Sequence, residues 1–411
     1  MKCKYRITKA AFGGWVVLLP LLALAIPNYA AAETCVVDRL TDAGEGQGLR
    51  GDLRFCINQA MDGDVITFEV TGTINLTGAL PNLTRSISIE GPGASLLTVR
   101  QATDYGISSI FAVRNATVSV SGLTVANADN FGIANAGTLM ISNSTVSGNG
   151  HGSYGGGIWN DIGRTMSITN SVVSGNGDGG GIDNRGTMTV SNSTIAGNSG
   201  YDYQGDSGYG GGIRNGGTLT ISNSTISDNS AYGGAIGAFG GGILNWGTLT
   251  IGNSTISGNL AFGGAISNGG GIVNGGMLTI SNSTISGNGA EYGGGIFNAG
   301  TMSARNTILA NNTAPSGTPD LAGSLGSLGY NLIGNSSGGS GFDETDLLNV
   351  DPLLGSLQDN GGPTFTHALL GGSPAIDAGD NSDAPEWDQR GEGFPRIVNG
   401  IIDIGAYEVQ E

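Results

Sequence analysis

The sequence predicts an all-β protein built as a three-sided parallel β-helix, and a repeat along the chain carries this prediction. Between residues 155 and 288 a unit recurs that begins Gly-Gly-Gly-Ile-Xaa-Asn and continues close to Gly-Thr-Leu-Thr-Ile-Ser-Asn-Ser-Thr-Ile-Ser-Gly-Asn. Equivalent asparagines are spaced 27, 22, 31, 30, 29 and 24 residues apart, a period typical of solenoids. Apolar and polar residues alternate within Thr218–Ser222, as in a strand with one buried face. Each repeat is therefore predicted to form one coil of three short strands.

The inward and turn positions of the repeat predict how the coils stack. Stacked coils lie about 4.8 Å apart, so equivalent residues lie directly over one another. Two aliphatic columns, represented by Ile213 and Ile221, are expected inside the coil. Two asparagine columns are expected to form ladders of side-chain amides. The first contains Asn160, Asn184, Asn215, Asn245, Asn274 and Asn298, and the second, at a turn, contains Asn143, Asn170, Asn192, Asn223, Asn253, Asn282 and Asn306.

One loop per coil holds all of the length variation. The distance from the first glycine of the run to the closing asparagine, as from Gly210 to Asn229, is 19 residues in four coils. The loops between these constant units leave the coil at one corner, so they are expected to form a wall along one edge. Insertions gathered on one face of a solenoid commonly mark its binding side.

The N-terminal residues predict export. Residues 1–32 contain four basic residues, an apolar stretch from Trp15 to Ile26 and three alanines ending at Ala32, a pattern typical of a signal peptide cleaved after Ala32. The mature chain would be secreted, and its two cysteines, Cys35 and Cys56, are expected to form a disulfide. It would hold 12 basic and 33 acidic residues, a net charge of −21. Nucleic acid and anionic membranes are therefore excluded as partners, because both need cationic neutralisation.

The mature chain is expected to form one elongated domain in three segments. Residues 33–70 are predicted to form an N-terminal cap, with a short amphipathic helix over 49–61 that covers the open first coil. Residues 71–313 form the repeats, and residues 314–411 form irregular coils followed by an acidic module. Its aspartates Asp377, Asp380 and Asp388 are weak candidates for calcium ligands, although the chain is not expected to require a cofactor.

Two resemblances extend this prediction. The repeat resembles the right-handed parallel β-helix superfamily, which includes pectate lyases and polygalacturonases, and this implies a right-handed coil. The segments Asp359–Thr364, Gly372–Gly379 and Asp403–Glu408 resemble the C-terminal module of bacterial secreted choice-of-anchor β-helix proteins. Gly51–Ile57 resembles the CSLREA region of the same proteins, with Cys56 where they usually have alanine. That family implies secretion but no general activity.

Charged residues are sparse on the repeat, and four of them fall in two adjacent columns beside Trp159. Asp183 and Arg214 occupy one column on adjacent coils, and Asp161 and Arg185 occupy the other. A polysaccharide lyase needs a base near the acidic carbon and a cation for the sugar carboxylate, which these residues would supply. The alternative is that they form ion pairs between coils that stabilise the surface slightly.

The predicted wall is rich in aromatic residues. Their rings offer flat apolar faces to sugar rings, so a row of them along the coil axis would hold an extended glycan, unless they fold down over their own loops. The tyrosines concerned are Tyr154, Tyr201, Tyr203, Tyr209, Tyr232 and Tyr292.

The sequence leaves three functions open. The first is a non-catalytic surface protein that binds a polysaccharide or a cell-surface glycan through the wall. The second is a polysaccharide lyase or glycoside hydrolase that acts near Trp159 and the four charged residues. The third is ice binding, which is suggested by outward threonine pairs such as Thr218 with Thr220.

Overall fold

The computed structural model describes residues 31–102, 106, 108–151, 155–201 and 207–410. Residues 158–310 form coils that each contribute three short strands, and every strand pairs in parallel with its counterpart in the next coil. The Asn strands are Ile158–Asn160, Ile182–Asn184, Ile213–Asn215, Ile243–Asn245, Ile272–Asn274 and Ile296–Asn298. The Thr strands are Thr165–Thr169, Thr187–Ser191, Thr218–Ser222, Thr248–Gly252, Met277–Ser281 and Thr301–Arg305. The flank strands are Thr145–Ser147, which belongs to the coil before this range, and Val172–Ser174, Thr194–Ala196, Thr225–Ser227, Thr255–Ser257, Thr284–Ser286 and Ile308–Ala310.

The coil continues beyond the regular repeats at both ends. Two long strands, Ser109–Ser121 and Phe131–Ser142, span two sides of the coil at once. The N-terminal strands are Thr34–Val37, Gly46–Gln47, Arg50–Gly51, Val65–Phe68, Gly72–Leu76, Ser88–Glu90, Leu97–Gln101 and Thr124–Ala126. The C-terminal strands are Leu321–Ser324, Gly326–Ser327, Leu332–Ile333, Gly339–Ser340, Leu347–Leu348, Leu354–Gln358 and Thr366–Leu369.

The N-terminal segment contains a helix and a disulfide. The helix spans Leu53–Gln59, which is shorter than the predicted 49–61, because Asp52 ends the preceding turn and its side chain accepts a hydrogen bond from the Phe55 amide. Cys35 and Cys56 form the predicted disulfide, which joins the first strand to this helix. The predicted signal peptide lies almost entirely outside the described residues. Among those described, no helix is long and apolar enough to cross a bilayer.

The predicted aliphatic columns form one continuous core. Ile213 pairs in register with Ile243, Ile221 pairs with Ile251, and all four are fully buried. The glycine runs are explained by the close approach of successive coils: a Cβ at Gly212 would lie 2.6 Å from the carbonyl oxygen of Gly242. The period of the repeat therefore fixes both the register and the small residues between coils.

Two ladders of asparagine amides run along the core, and one of them differs from the prediction. The predicted first ladder is confirmed: Nδ2 of each buried asparagine donates to Oδ1 of the next, as from Asn215 to Asn245 at 2.8 Å. The second continuous ladder is formed by the asparagines that close each repeat, as from Asn229 to Asn259 at 2.9 Å, and not by the turn asparagines. It contains Asn149, Asn176, Asn198, Asn229, Asn259, Asn288 and Asn312, and it ends on the carboxylate of Asp320.

The turn asparagines have a conformational role instead. All seven adopt φ between 47° and 53°, a left-handed conformation that asparagine tolerates better than most residues. Among the described residues, this column has two of the side-chain hydrogen bonds that a continuous ladder would need: Asn253 donates to Asn223, and Asn306 donates to Asn282. The prediction of a ladder at this turn was therefore wrong for most of the column, because the backbone bend and not amide stacking selects asparagine there.

The variable loops form ordered strands in the middle of the molecule. These wall strands make two additional parallel sheets of three strands each. Small side chains, including Ala231, Ala238 and Ala261, pack between the two sheets. One sheet contains Ser199–Gly200, Ser230–Tyr232 and Leu260–Phe262, and the other contains Ser207–Tyr209, Gly237–Phe239 and Ile266–Asn268.

The C-terminal tail, residues 351–410, folds back over the flank strands. The Gln389 side chain accepts a hydrogen bond from the Thr255 hydroxyl and donates one to Thr225. His367 contacts Ser257, and the Ala406 amide donates to Thr284. The tail therefore covers the side of coils that precede it by more than 100 residues.

Candidate functional site

A cleft of about 380 Å³ lies where the wall meets the Asn strands. It brings together six of the eleven residues that the sequence predicted for catalysis or ligand binding. Its lining residues are Phe131, Trp159, Asp178, Gly179, Asp183, Arg185, Tyr201, Tyr209 and Arg214.

The register of the Asn strands places the polar centre of the cleft. Trp159 pairs with Asp183 on the next coil, and Asp183 pairs with Arg214 on the one after. The residues on either side of each, such as Ile213 and Asn215, point inward and are fully buried. Because side chains alternate along a strand, the middle residue of each Asn strand must point outward, into the cleft.

The charges in the cleft are paired differently from the prediction. Asp183 is largely buried and accepts a hydrogen bond at 3.0 Å from Arg185 of its own strand end, not from a neighbouring coil. Arg214 forms no ion pair among the described residues, although its backbone is in register with Asp183. The predicted pairing of Asp161 with Arg185 is wrong: the Asp161 carboxylate accepts a hydrogen bond from the Ile162 amide and does not line the cleft.

Aromatic rings form the walls of the cleft and extend from it. Phe131 stacks on Trp159 with 6.2 Å between ring centroids. On the other side, the Arg214 guanidinium lies 5.8 Å from the centre of the Tyr209 ring, which is within range of a cation–π interaction. Tyr209 stacks in turn on Phe239 at 5.7 Å.

A second row of rings follows the outer wall sheet. Tyr201, which lines the cleft, lies 5.6 Å from Tyr232, and Tyr232 lies 5.3 Å from Phe262. Each ring comes from a different coil, because the residues are paired or adjacent in the parallel wall sheet. The distances between ring centroids are therefore close to the spacing between neighbouring coils. The rings therefore form a track along the coil axis. Tyr232 and Phe262 are close to half exposed, so the rings do not simply cover their own loops.

Two cleft residues were missed by the sequence analysis. Phe131 belongs to the coil before the regular repeats, and its pairing with Ser109 gave no repeated signal. Asp178 follows a closing asparagine and adopts φ of 44°. Burial raises the pKa of the Asp178 carboxyl, and the nearby His151 opposes this shift. The sequence feature that could have identified Asp178 is a carboxylate in a variable loop of a chain that has only two histidines, one of which, His151, lies near it.

The other described tyrosines of the prediction do not line this cleft. Tyr292 lines a separate depression of about 490 Å³ at the far end of the wall, together with Phe262 and Glu291. Tyr154 and Tyr203 lie outside the described residues.

The tail aspartates occupy separate environments. Asp388 forms an ion pair with Arg390 at 2.6 Å, and Asp380 lies 3.4 Å from Arg305. The Asp377 amide donates to Asp403. Within the described ranges, no three His, Cys, Asp or Glu side chains are grouped so that they could hold a metal ion. Calcium binding at Asp377, Asp380 and Asp388 stays a prediction.

The arrangement of the cleft is suited to holding a ring with one polar edge. Aromatic faces on two sides can contact the apolar face of a sugar ring. Arg214, which forms no ion pair with the described residues, can donate hydrogen bonds to an acceptor on that ring. The Asp183 carboxylate is largely buried and is already held by Arg185 at 3.0 Å. The cleft therefore has stronger features for binding than for proton transfer by Asp183.

Comparisons with known proteins agree with the observed architecture. A family model described as "Right handed beta helix region" matches residues 85–272 and 129–314, which together span more than half of the chain. No curated protein matches in a sequence search. Among solved structures, pectate lyase Pel9A is similar in fold, with a TM-score of 0.56 and 15% identity over 92% of this chain and 97% of that one. At this identity the likeness concerns the fold alone. The chain belongs to the right-handed β-helix family.

Proposed function

We propose that the protein is a secreted, non-catalytic glycan-binding protein that holds a polysaccharide in the cleft and along the aromatic track. The observation that carries this proposal is an open cleft whose sides are Trp159 and Tyr209 and whose polar edge includes Arg214, which has no ion-pair partner among the described residues. Rings displayed at successive coils suit a ligand that itself repeats.

Secretion and the choice-of-anchor type belong to the same proposal. The signal-like residues 1–32, the disulfide between Cys35 and Cys56 and the motifs of the tail support them. We also propose that the cross-section is three-sided and that the helix Leu53–Gln59 caps the first coil, since it follows the first strand and carries the disulfide. Neither the binding site nor the cap requires a cofactor.

Affinity electrophoresis of the purified mature protein against neutral and acidic polysaccharides tests glycan binding. For a polymer that retards the protein, the double variant Trp159→Ala, Tyr209→Ala should bind about tenfold more weakly or worse, because each ring supplies a stacking face. Tyr292→Ala is the matched control, because it removes an exposed wall ring outside the cleft. An equal loss in the control, or no retardation by any polymer, would contradict the proposal.

A second candidate function, polysaccharide cleavage, is favoured by Asp178. A carboxyl with a raised pKa that faces the same cleft as Arg214 has the chemistry of a general acid or base. The same polymers should therefore be assayed for new reducing ends and for the ultraviolet absorbance of unsaturated products. Cleavage by the wild-type protein that is lost in Asp178→Asn would replace the binding proposal with an enzyme.

A further inference from the structure

We propose that the outward face of the Thr strands binds ice, a function separate from the cleft. Each of the six Thr strands places its first and third residues outward. Of these twelve positions, nine are threonine, two are serine and one is Met277. All nine threonines are exposed; they are Thr165, Thr187, Thr189, Thr218, Thr220, Thr248, Thr250, Thr279 and Thr301.

The register makes this face a two-dimensional lattice. Thr187 pairs with Thr218 and Thr218 with Thr248, without a register shift, and the third positions follow in the same way. Neighbouring coils are about 4.8 Å apart, and residues two apart on a strand are separated by roughly 6.6 Å. The first distance is close to the shorter oxygen repeat on a prism face of hexagonal ice, and the second is somewhat shorter than the longer repeat of that face. A threonine at each lattice point would present one hydroxyl and one methyl group at a regular spacing.

The hydroxyl groups on this face are free to bond to water. Among the described residues, Thr279 is the one threonine of the nine whose hydroxyl has a protein partner, Ser303 at 3.5 Å. The flank provides an internal comparison, since Thr225, Thr255 and Thr284 there are buried and hydrogen-bonded to the tail. The tail therefore covers the threonine hydroxyls of the flank strands, while the threonine hydroxyls of the Thr strands stay exposed to solvent.

The composition of the face favours ice over a charged or polymeric ligand. The six Thr strands contain one charged residue, Arg305, which lies at the end of the last strand and pairs with Asp380. They contain no aromatic residue, whereas the wall carries rings at successive coils. The edge of the face does carry one aromatic residue, Trp246, whose ring packs over Gly275 and is more than half exposed. A crystalline polysaccharide would be expected to need aromatic contacts, while ordered water needs hydroxyl and methyl groups.

The face is also rigid enough to keep its spacing. Its inward neighbours, such as Leu219 and Ile221, are fully buried, and the asparagine ladder lies directly beside it. The length variation of the repeat occurs on the wall, so no insertion interrupts the Thr strands between Thr187 and Ser281.

The test uses the mature protein in assays of ice-crystal shaping and of inhibition of ice recrystallisation. Wild type should shape ice crystals, and the double variant Thr220→Lys, Thr250→Lys should need at least tenfold more protein for the same inhibition. The matched control is Thr145→Lys, an outward threonine on the uncovered part of the flank, which should retain full activity. Circular dichroism identifies any variant that fails to fold.

A second variant keeps the proposal falsifiable if the lysine variant is unstable. Thr220→Val, Thr250→Val retains shape and strand propensity, and it should weaken but not abolish inhibition. The proposal is overturned if folded wild-type protein leaves ice growth unchanged, or if the folded lysine variant and the control lose the same activity. It is also overturned if the face retains the protein on crystalline cellulose or chitin but not on ice. None of these results bears on the cleft, whose ligand is tested separately.

Discussion

The regular coils and the C-terminal tail both bury many polar groups, but they satisfy them from different sources. In the coils the ladder asparagines bond to their own equivalents on the next coil, as Asn229 does to Asn259. In the tail a buried group such as Gln389 bonds to partners that do not repeat along the chain, here the flank threonines Thr225 and Thr255. The same sequence unit therefore produces the same hydrogen bond on every coil, whereas each tail contact depends on one particular pair of residues.

The largest effect is expected from Arg390 in the tail. Its side chain is almost fully buried, pairs with Asp388 at 2.6 Å, and lies between the rings of Phe394 and Tyr407 at 4.0 and 3.8 Å. Arg390→Met keeps the packing but leaves the Asp388 carboxylate buried without its partner, which should destabilise the tail by about 3–5 kcal/mol. Limited proteolysis should then release the tail after residue 350 while the coils stay intact.

The control for this experiment is Arg305→Met, which removes a more exposed ion pair to the same tail at 3.4 Å. It should change stability by about 1 kcal/mol or less. If Arg390→Met unfolds the coils together with the tail, the two regions form one cooperative unit. The coils and the tail would then differ in the kind of contacts they make but not in their stability.

A smaller but more widespread effect is expected from the ladder. Asn229→Ala leaves the buried Asn198 amide and one Asn198 side-chain N–H without acceptors, at about 1–3 kcal/mol for each unsatisfied group. Because the coils support one another, the loss should lower the denaturant midpoint of the whole solenoid and not of one coil. Equilibrium unfolding followed by circular dichroism measures it.

Asn192→Gly is the matched control for the ladder. Asn192 is a turn asparagine with φ of 48°, a conformation that glycine also adopts without strain. Its substitution should shift the midpoint little. An effect as large as that of Asn229→Ala would mean that the turn column also contributes side-chain bonds to the stack.

The same contrast explains what the sequence could and could not predict. The core columns, the first asparagine ladder and the outward column from Trp159 to Arg214 were predictable, because a repeat fixes the register and strand alternation fixes the side. The sequence could not predict which asparagine column forms the second ladder. The turn asparagines and the asparagines that close each repeat recur equally, and only their backbone conformation distinguishes them.

The cleft and the tail show where the repeat stops being informative. Arg185 bonds to Asp183 of its own strand because the chain bends after Asn184 and brings the two outward side chains to one side, a local geometry that column alignment does not contain. Phe131 and Asp178 lie outside the repeated unit. The contacts of the tail with the coils join residues that are 74 to 164 positions apart, as between Asn306 and Asp380 and between Thr225 and Gln389. No periodic pattern encodes such pairs.

The smallest expected effect is a pH dependence of tail docking through His367. Its Nδ1 lies 2.7 Å from the Gly355 carbonyl oxygen and must donate to it, so Nε2 accepts from the Ser257 hydroxyl 2.9 Å away. Burial lowers the pKa of His367 below its ordinary value of 6.5. The unfolded histidine therefore takes up a proton at higher pH than the folded one, and this contribution to stability is complete above pH 6.5 and is lost as the pH falls below it.

The expected loss is at most about 1.4 kcal/mol for each pH unit below 6.5, until the folded-state pKa is reached. Burial raises the pKa of Glu408 to about 8, which gives the opposite slope between pH 4.5 and 8, so the difference between wild type and His367→Gln isolates the histidine. Hydrogen exchange at the flank amides, measured at several pH values, should show wild-type protection falling faster than that of the variant below pH 6.5. Parallel curves for the two proteins would show that His367 does not set the pH response of tail docking.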